Sequence, residues 1–272
     1  MRNLKLTLAY DGTNYSGWQV QPDRPSVQGT LRDAFSRLTG EQATINGAGR
    51  TDAGVHALGQ VANLRTDTKL PIERLLLGLQ HYLPDDVAIR DIVDVPFEFH
   101  ATLSARRKTY RYVVRPSRLR DPFSRGFAWR ISHELDVQAM GEAASHLVGT
   151  HDFKCFETQG SPRAETVRTL FQADVFRAPE WPVMSAAFEP QRDDRGSYVV
   201  VEVTGDGFLY NMVRAISGTL VEVGLGKRSP ASVASLMSNG RRAAAGQTAP
   251  PHGLFLVRVD YQENGSITGR KK

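Results

Sequence analysis

The stretch GAGRTDAGVHA, Gly47 to Ala57, sets one carboxylate, Asp52, just after Arg50 and shortly before His56, among glycines. Glycine-rich loops often cradle phosphate, so a nucleotide site is the first chemistry to test. A dinucleotide fingerprint needs G-x-G-x-x-G; Gly47 and Gly49 fit, but Asp52 takes the third glycine's place, where a carboxylate repels a pyrophosphate. A P-loop needs G-x-x-x-x-G-K-[ST]; Gly49 and Gly54 fit, but Val55 and His56 replace the lysine and the hydroxyl. GLGK at Gly224–Lys227 is too short to count and suits a helix end with a cation beside it. The plainer alternative is a tight turn in which Asp52 caps its own backbone and pairs weakly with Arg50 in solvent. That explains the glycines but not the density of functional groups beside them.

Two further stretches carry residues able to do chemistry. ARRKTYRYVV alternates so that Tyr110, Tyr112 and Val114 share one strand face, with Thr109, Arg111, Val113 and Arg115 on the other. Taken alone, Tyr110 suits core filling as well as a site. In GDGFLYNMVRAISGTL, Arg214 falls off the apolar stripe of a helix, four residues after Tyr210, where a surface arginine is the ordinary outcome.

The elements that must position these residues follow from periodicity. NLKLTLAY places Leu4, Leu6, Leu8 and Tyr10 on one face of a half-buried strand. Val27, Leu31, Ala34, Phe35 and Leu38 predict an amphipathic helix closed by Gly40. Strands are expected near 43–46 and 59–65, a helix on Ile72, Leu75, Leu76, Leu79 and Leu83 up to Pro84, and a strand in DVAIRDIV. The order β-α-β-β-α-β then repeats loosely. KTYRYVVRP is a strand, and Val137, Met140, Ala144, Leu147 and Val148 mark one helix face. ETVRTLFQADVF and SYVVVEVTGDG are strands, and Leu209, Met212, Val213, Ile216 and Leu220 line a second helix. SPASVASLMSNG adds a helix with Ser229 as N-cap and Pro230 first inside it, and HGLFLVRVDY closes as a strand.

The fold class is therefore α+β: two ferredoxin-like halves, 1–104 and 105–272, on a mixed, mainly antiparallel sheet. The segment RAPEWPVMSAAFEPQRDDRG sits in half two where the Asp52 loop sits in half one, and is expected as an insertion at an RNA-facing rim or a subunit contact. The tail over about 263–272 is polar and basic and is expected to be loose.

Composition narrows the partners. The chain has 272 residues, 40% hydrophobic and 23% charged, with a net charge of +5 that leans towards a polyanion. A single cysteine, Cys155, excludes a disulfide framework and a cysteine-based zinc site, and suits a reducing compartment. MRNLKLTLAYDG has no apolar core of a secretory signal, and no run is long enough to span a bilayer, so a cytoplasmic protein is expected.

GAGRTDAGVHA and FLYNMVR, with AYDGTNYSGWQVQP, SVQGTLRDAF, FHATLSARRKTYRY, GTHDF, VRTL and APPHGLFLVRVDY, together resemble the tRNA pseudouridine synthase A family, in order and over nearly the whole chain. Departures are His81, where the family usually has asparagine, DFKCFETQG in place of a serine-rich stretch, and the RDDRG region, which varies in the family.

The resemblance implies the pseudouridine synthase fold. It also implies isomerisation of uridine to pseudouridine at positions 38, 39 and 40 in the anticodon stem-loop of several tRNAs, with no cofactor and no metal. By resemblance Asp52 is the catalytic carboxylate, attacking C6 of the ring or C1′ of the sugar, or stabilising charge while a proton leaves C2′; sequence does not choose among these. Arg214 resembles the basic residue that pairs with it, and Tyr110 the active-site tyrosine that stacks on uracil and transfers a proton at C5. Arg50 is placed to enter the space left by an extruded base, and His56 to support the loop at the substrate. Arg106, Arg107, Lys108, Arg111 and Arg168 are candidates for phosphate contact. A homodimer with one tRNA touching both subunits is implied as well. The competing expectation is a tRNA-binding module or RNA chaperone without catalysis.

Overall fold

A computed structural model describes residues 1–158, 165–178 and 197–261. In chain order the regular elements are β1 (Arg2–Tyr10), α1 (Val27–Thr39), β2 (Ile45–Gly47), β3 (His56–Thr66), α2 (Ile72–Tyr82), β4 (Val87–Val95), β5 (Ala105–Pro116), β6 (Trp129–Ile131), α3 (Val137–Ser145), β7 (Gly149–Asp152), β8 (Val167–Ala178), β9 (Tyr198–Gly205), α4 (Met212–Gly224), α5 (Ser232–Asn239) and β10 (Leu254–Tyr261). Among the described residues no helix is long and apolar enough to cross a membrane.

One sheet runs β4-β1-β3-β10-β5-β9-β8-β7, with β2 on β3 and β6 on β5. Each half follows the ferredoxin-like order, fourth-first-third-second: β4-β1-β3-β2, then β10-β5-β9-β8. The halves meet where β10 lies parallel to β3, pairing Phe255 with His56 and Leu256 with Ala57. β2 pairs further along β3, at Ala62 to Leu64. The Asp52 loop, which links β2 to β3, therefore rises beside the joint between the halves.

The sequence pattern explains the core. Leu4, Leu6, Leu8 and Tyr10 alternate into it and meet Leu31, Phe35, Leu75 and Leu79 from α1 and α2. α1 starts where expected: the Ser26 hydroxyl accepts from Gly29 N–H, a cap contributing about 1 kcal/mol, and Gly40 closes it in the left-handed region. Met212, Val213, Ile216 and Leu220 are buried as the spacing predicts, with α4 packed against α3 and β5.

Several boundaries differ from expectation. The helix read through Val148 stops at Ser145, because Gly149, at φ 115, turns the chain into β7; Val148 is exposed while Leu147 is buried. α4 begins at Met212 rather than Phe208, since Asn211 takes a left-handed backbone. Ser229 does not cap α5. Ser229 and Pro230 form the turn before it, their carbonyls taking the N–H groups of Ser232 and Val233, and the cap position falls to Ala231. The short strands β6 and β7 were too brief to show a period. The chain from Ser117 to Ala128 covers the second face of β5, so Val113 packs with Phe255 and Ala128 and both faces of β5 are buried. The 179–196 segment and the basic tail lie outside the described residues.

Candidate active site

The loop carrying Asp52 is bedded on the segment after β1. Trp18 N–H donates to the Thr51 carbonyl at 3.0 Å, and Gly54 N–H to the Tyr15 carbonyl at 3.3 Å. The approach is too close for side chains. A Cβ at Gly12 would stand 2.0 Å from the Val55 carbonyl oxygen, and one at Gly17, already at φ 102, would stand 2.5 Å from that of Thr51. This contact gives the DGTNYSGW stretch its purpose.

Beneath the loop lies a buried polar set absent from the sequence expectations. The Tyr10 and Thr51 hydroxyls are 2.7 Å apart, and Gln60, wholly buried, donates from Nε2 to the Gly49 carbonyl at 3.0 Å. The residues on either side of Arg50, the second of them just before Asp52, are thereby tied to β1 and β3. The available signal was Gln60 itself, a polar side chain between Leu58 and Val61 in β3.

Asp52 is 26% exposed and Arg214 16%, with Arg214 Nη1 3.9 Å from Asp52 Oδ2. Burial pushes the Asp52 carboxyl above its ordinary value, and the charge of Arg214 pulls it back down. Arg214 is oriented by donating from Nε to the Ala249 carbonyl at 2.8 Å and from Nη1 to Asn211 Oδ1 at 2.6 Å. The chain around Ala249 is held in turn, its N–H donating to the Arg214 carbonyl at 3.1 Å.

Tyr110 is buried on the face of β5 that looks towards α4, edge-on to Phe208 with ring centroids 5.0 Å apart. Burial raises its hydroxyl well above an ordinary phenol, with smaller contributions from Tyr10 and Asp52. Asp52, Tyr110 and Arg214 therefore approach one another from a loop, a strand and a helix. Arg50 is exposed and, among the described residues, makes no hydrogen bond or ion pair, so its guanidinium is available to solvent or RNA.

Two assignments change. His56 is 1% exposed, stacks on Phe255 and tilts against Phe127. Its Nδ1 stands 3.0 Å from both the Gly12 N–H and Asp11 Oδ1, and its Nε2 faces the Gly126 and His252 carbonyls, each at 3.1 Å. Burial holds this imidazole below its usual pKa against the pull of Asp11. His56 supports the loop from within the core and has no surface to offer a substrate.

Arg111 is 3% exposed, and its Nε and Nη2 both donate to Glu202 Oε2, at 2.9 and 2.6 Å. β9 places Glu202 directly opposite it, so Arg111 is a buried cross-strand pair rather than a phosphate contact. Arg106 and Arg107 are exposed, the latter over the Phe171 ring at 4.5 Å. Lys108 and Arg168 are half-buried, with Lys108 running past Gly49 on the Asp52 loop. Among the described residues no group of histidine, cysteine and carboxylate side chains is arranged to hold a metal.

The family model described as tRNA pseudouridine synthase matches residues 7–102 and 143–262. Similar chains include tRNA pseudouridine synthase A of Thermoanaerobacter sp. strain X514, 42% identical over 96% of this chain and 100% of that one. The protein of that name from Geotalea uraniireducens is 44% identical over 96% and 100%, and that from Citrifermentans bemidjiense 43% identical over 97% and 99%. With the fold, the loop and its relatives in agreement, the chain belongs to the tRNA pseudouridine synthase family.

Proposed function

We propose that this protein isomerises uridine to pseudouridine at positions 38, 39 and 40 of the tRNA anticodon stem-loop, with Asp52 as the reacting carboxylate. The observation that carries the proposal is Asp52 itself. It is a half-buried carboxylate on a loop fastened before it at Thr51 and after it at Gly54, with a guanidinium 3.9 Å away and Tyr110 beside it.

The reaction breaks the N1–C1′ bond, turns the uracil and joins C5 to C1′, with a proton lost from C5 and one gained at N1. Asp52 supplies the nucleophile or the negative charge that carries the separated fragments. Arg214 favours the ionised carboxylate in a site whose burial disfavours it. Tyr110 stays a neutral phenol at neutral pH. Its part at C5 is thus to donate a hydrogen bond and relay a proton, not to act as a standing phenolate base.

A stacked uridine must first leave the stem, at a cost of a few kcal/mol. Arg50, exposed on the same loop, enters the vacated space. Arg106, Arg107, Lys108 and Arg168 hold the backbone by charge, which permits several tRNAs as substrates. A homodimer in the cytoplasm, one tRNA lying across both subunits, completes the proposal. Tritium release from tRNA labelled at uridine C5 tests it. Asp52→Ala should abolish release while tRNA still binds, and release by that variant at the wild-type rate would refute the role of Asp52.

A further inference from the structure

Arg214 is anchored at two points, and neither is Asp52. Nε donates to Ala249 O at 2.8 Å and Nη1 to Asn211 Oδ1 at 2.6 Å, while the same Nη1 stops 3.9 Å short of Asp52 Oδ2. Asn211 is itself pinned. Its Nδ2 donates to Thr158 Oγ1 at 3.1 Å, and Thr158 N–H donates to the Tyr210 carbonyl at 3.2 Å.

Two features mark the residue as more than a helix start. Its backbone sits at φ 59, a left-handed conformation that among the described non-glycine residues only Asp23 shares and that asparagine bears with less strain than most side chains. It also occupies the N-cap of α4, where an asparagine oxygen ordinarily accepts from the first turn of the helix. Here it makes no capping bond, and the oxygen goes to Arg214 instead.

We propose that Asn211 is a positioning residue that keeps Arg214 from closing onto Asp52, so that the carboxylate feels the cation's charge while its oxygens stay free for the nucleotide. The inference rests on Asp52 being the reacting group. A guanidinium in direct contact, at about 2.8 Å, would occupy the lone pairs that attack requires. At the present distance it still favours the ionised form.

The other charged or titratable groups near this pair are few. Tyr110 faces Asp52 from β5, with Tyr10 of β1 acting on Tyr110, and both stay protonated at neutral pH because burial raises them. His252 and Tyr112 of β5 lie near Arg214; burial and that cation both hold His252 neutral, and burial keeps the Tyr112 phenol protonated against the cation's pull. Arg50 on the loop is exposed.

Two variants separate this role from a structural one. Asn211→Gly keeps the left-handed backbone and removes the oxygen. Asn211→Asp keeps an oxygen in place and adds a charge that competes with Asp52 for Arg214. The measurement is the single-turnover rate of pseudouridine formation on a tRNA transcript, enzyme in excess, as a function of pH, with tRNA affinity measured alongside.

In Asn211→Gly the guanidinium closes on Asp52. The plateau rate falls about tenfold or more, and the acid limb moves down by about one pH unit. In Asn211→Asp the acid limb moves up by a similar amount. Affinity for tRNA changes less than about twofold in both, because neither variant removes a phosphate contact. Acid limbs that stay put, or move the same way in both variants, overturn the proposal, as does a loss confined to tRNA affinity. Wild-type protein that forms no pseudouridine would instead sink the proposed activity on which the inference rests, a result these variants cannot produce.

Discussion

The Thr51 hydroxyl meets that of Tyr10 at 2.7 Å, so the residue before Asp52 is fastened to the end of β1 rather than to its own loop. Both hydroxyls are buried, and burial pushes the Tyr10 phenol up to about 12, which leaves it a neutral hydrogen-bonding group. Tyr10→Phe leaves Thr51 without this partner and slackens one flank of Asp52. Stability should fall by about 1–2 kcal/mol, read by urea denaturation. Turnover should fall more than tRNA affinity, and an unchanged kcat would show that the tie does not position the carboxylate.

Gly12 makes a steric prediction. A methyl group there would meet the Val55 carbonyl at 2.0 Å, backbone against backbone, with no flexible side chain to yield. Gly12→Ala should cost about 1–3 kcal/mol and displace the Asp52 loop, lowering turnover as well as Tm. A variant with wild-type Tm and turnover would mean that the two segments separate easily.

Asp52 carries a stability penalty that function requires. Its carboxyl ionises at higher pH in the folded chain than in the unfolded one, because burial outweighs the pull of Arg214. The folded state therefore loses stability as pH rises through the folded pKa, and the loss disappears below the unfolded value. Asp52→Asn, neutral throughout, should raise Tm at neutral pH by roughly 2 °C. The gain should close in acid, while pseudouridine formation is lost at every pH. A gain that persisted undiminished in acid would point to packing rather than charge.

Tyr110→Phe removes a hydroxyl and leaves the ring against Phe208. If the phenol relays the C5 proton, kcat should fall by about 100-fold or more while tRNA affinity and Tm stay near wild type. Near-normal turnover would return Tyr110 to the core-filling role that its strand position allows.

Much of the frame was legible because the residues that build it repeat at fixed spacing. Leu4, Leu6 and Leu8 announce β1, and Val27, Leu31 and Phe35 announce α1, because each pattern has only one face to bury. The two β-α-β-β-α-β runs then gave the strand order of each half. The two misassigned side chains share a cause, since each turns on a partner distant in sequence. Arg111 looked like one more cation in ARRKTYRY, but Glu202 stands opposite it on another strand. His56 looked like part of the reacting loop, yet it is enclosed by Gly12, Gly126 and His252 from three other segments. Asn211 showed no signal at all, because a left-handed residue at a helix start is invisible to periodicity. Of the site itself, motif resemblance supplied Asp52, Tyr110 and Arg214, while the network of Tyr10, Thr51 and Gln60 that holds the loop emerged only from coordinates.

The most direct test is mass spectrometry of anticodon stem-loops with uridine at positions 38 to 40, labelled with carbodiimide after incubation with purified protein. Wild-type protein should yield carbodiimide adducts of pseudouridine at those positions on several tRNAs. Asp52→Ala, bound to the same RNA with near-equal affinity, should yield none. Unmodified uridine after incubation with wild-type protein, or equal adducts from both proteins, would contradict the account.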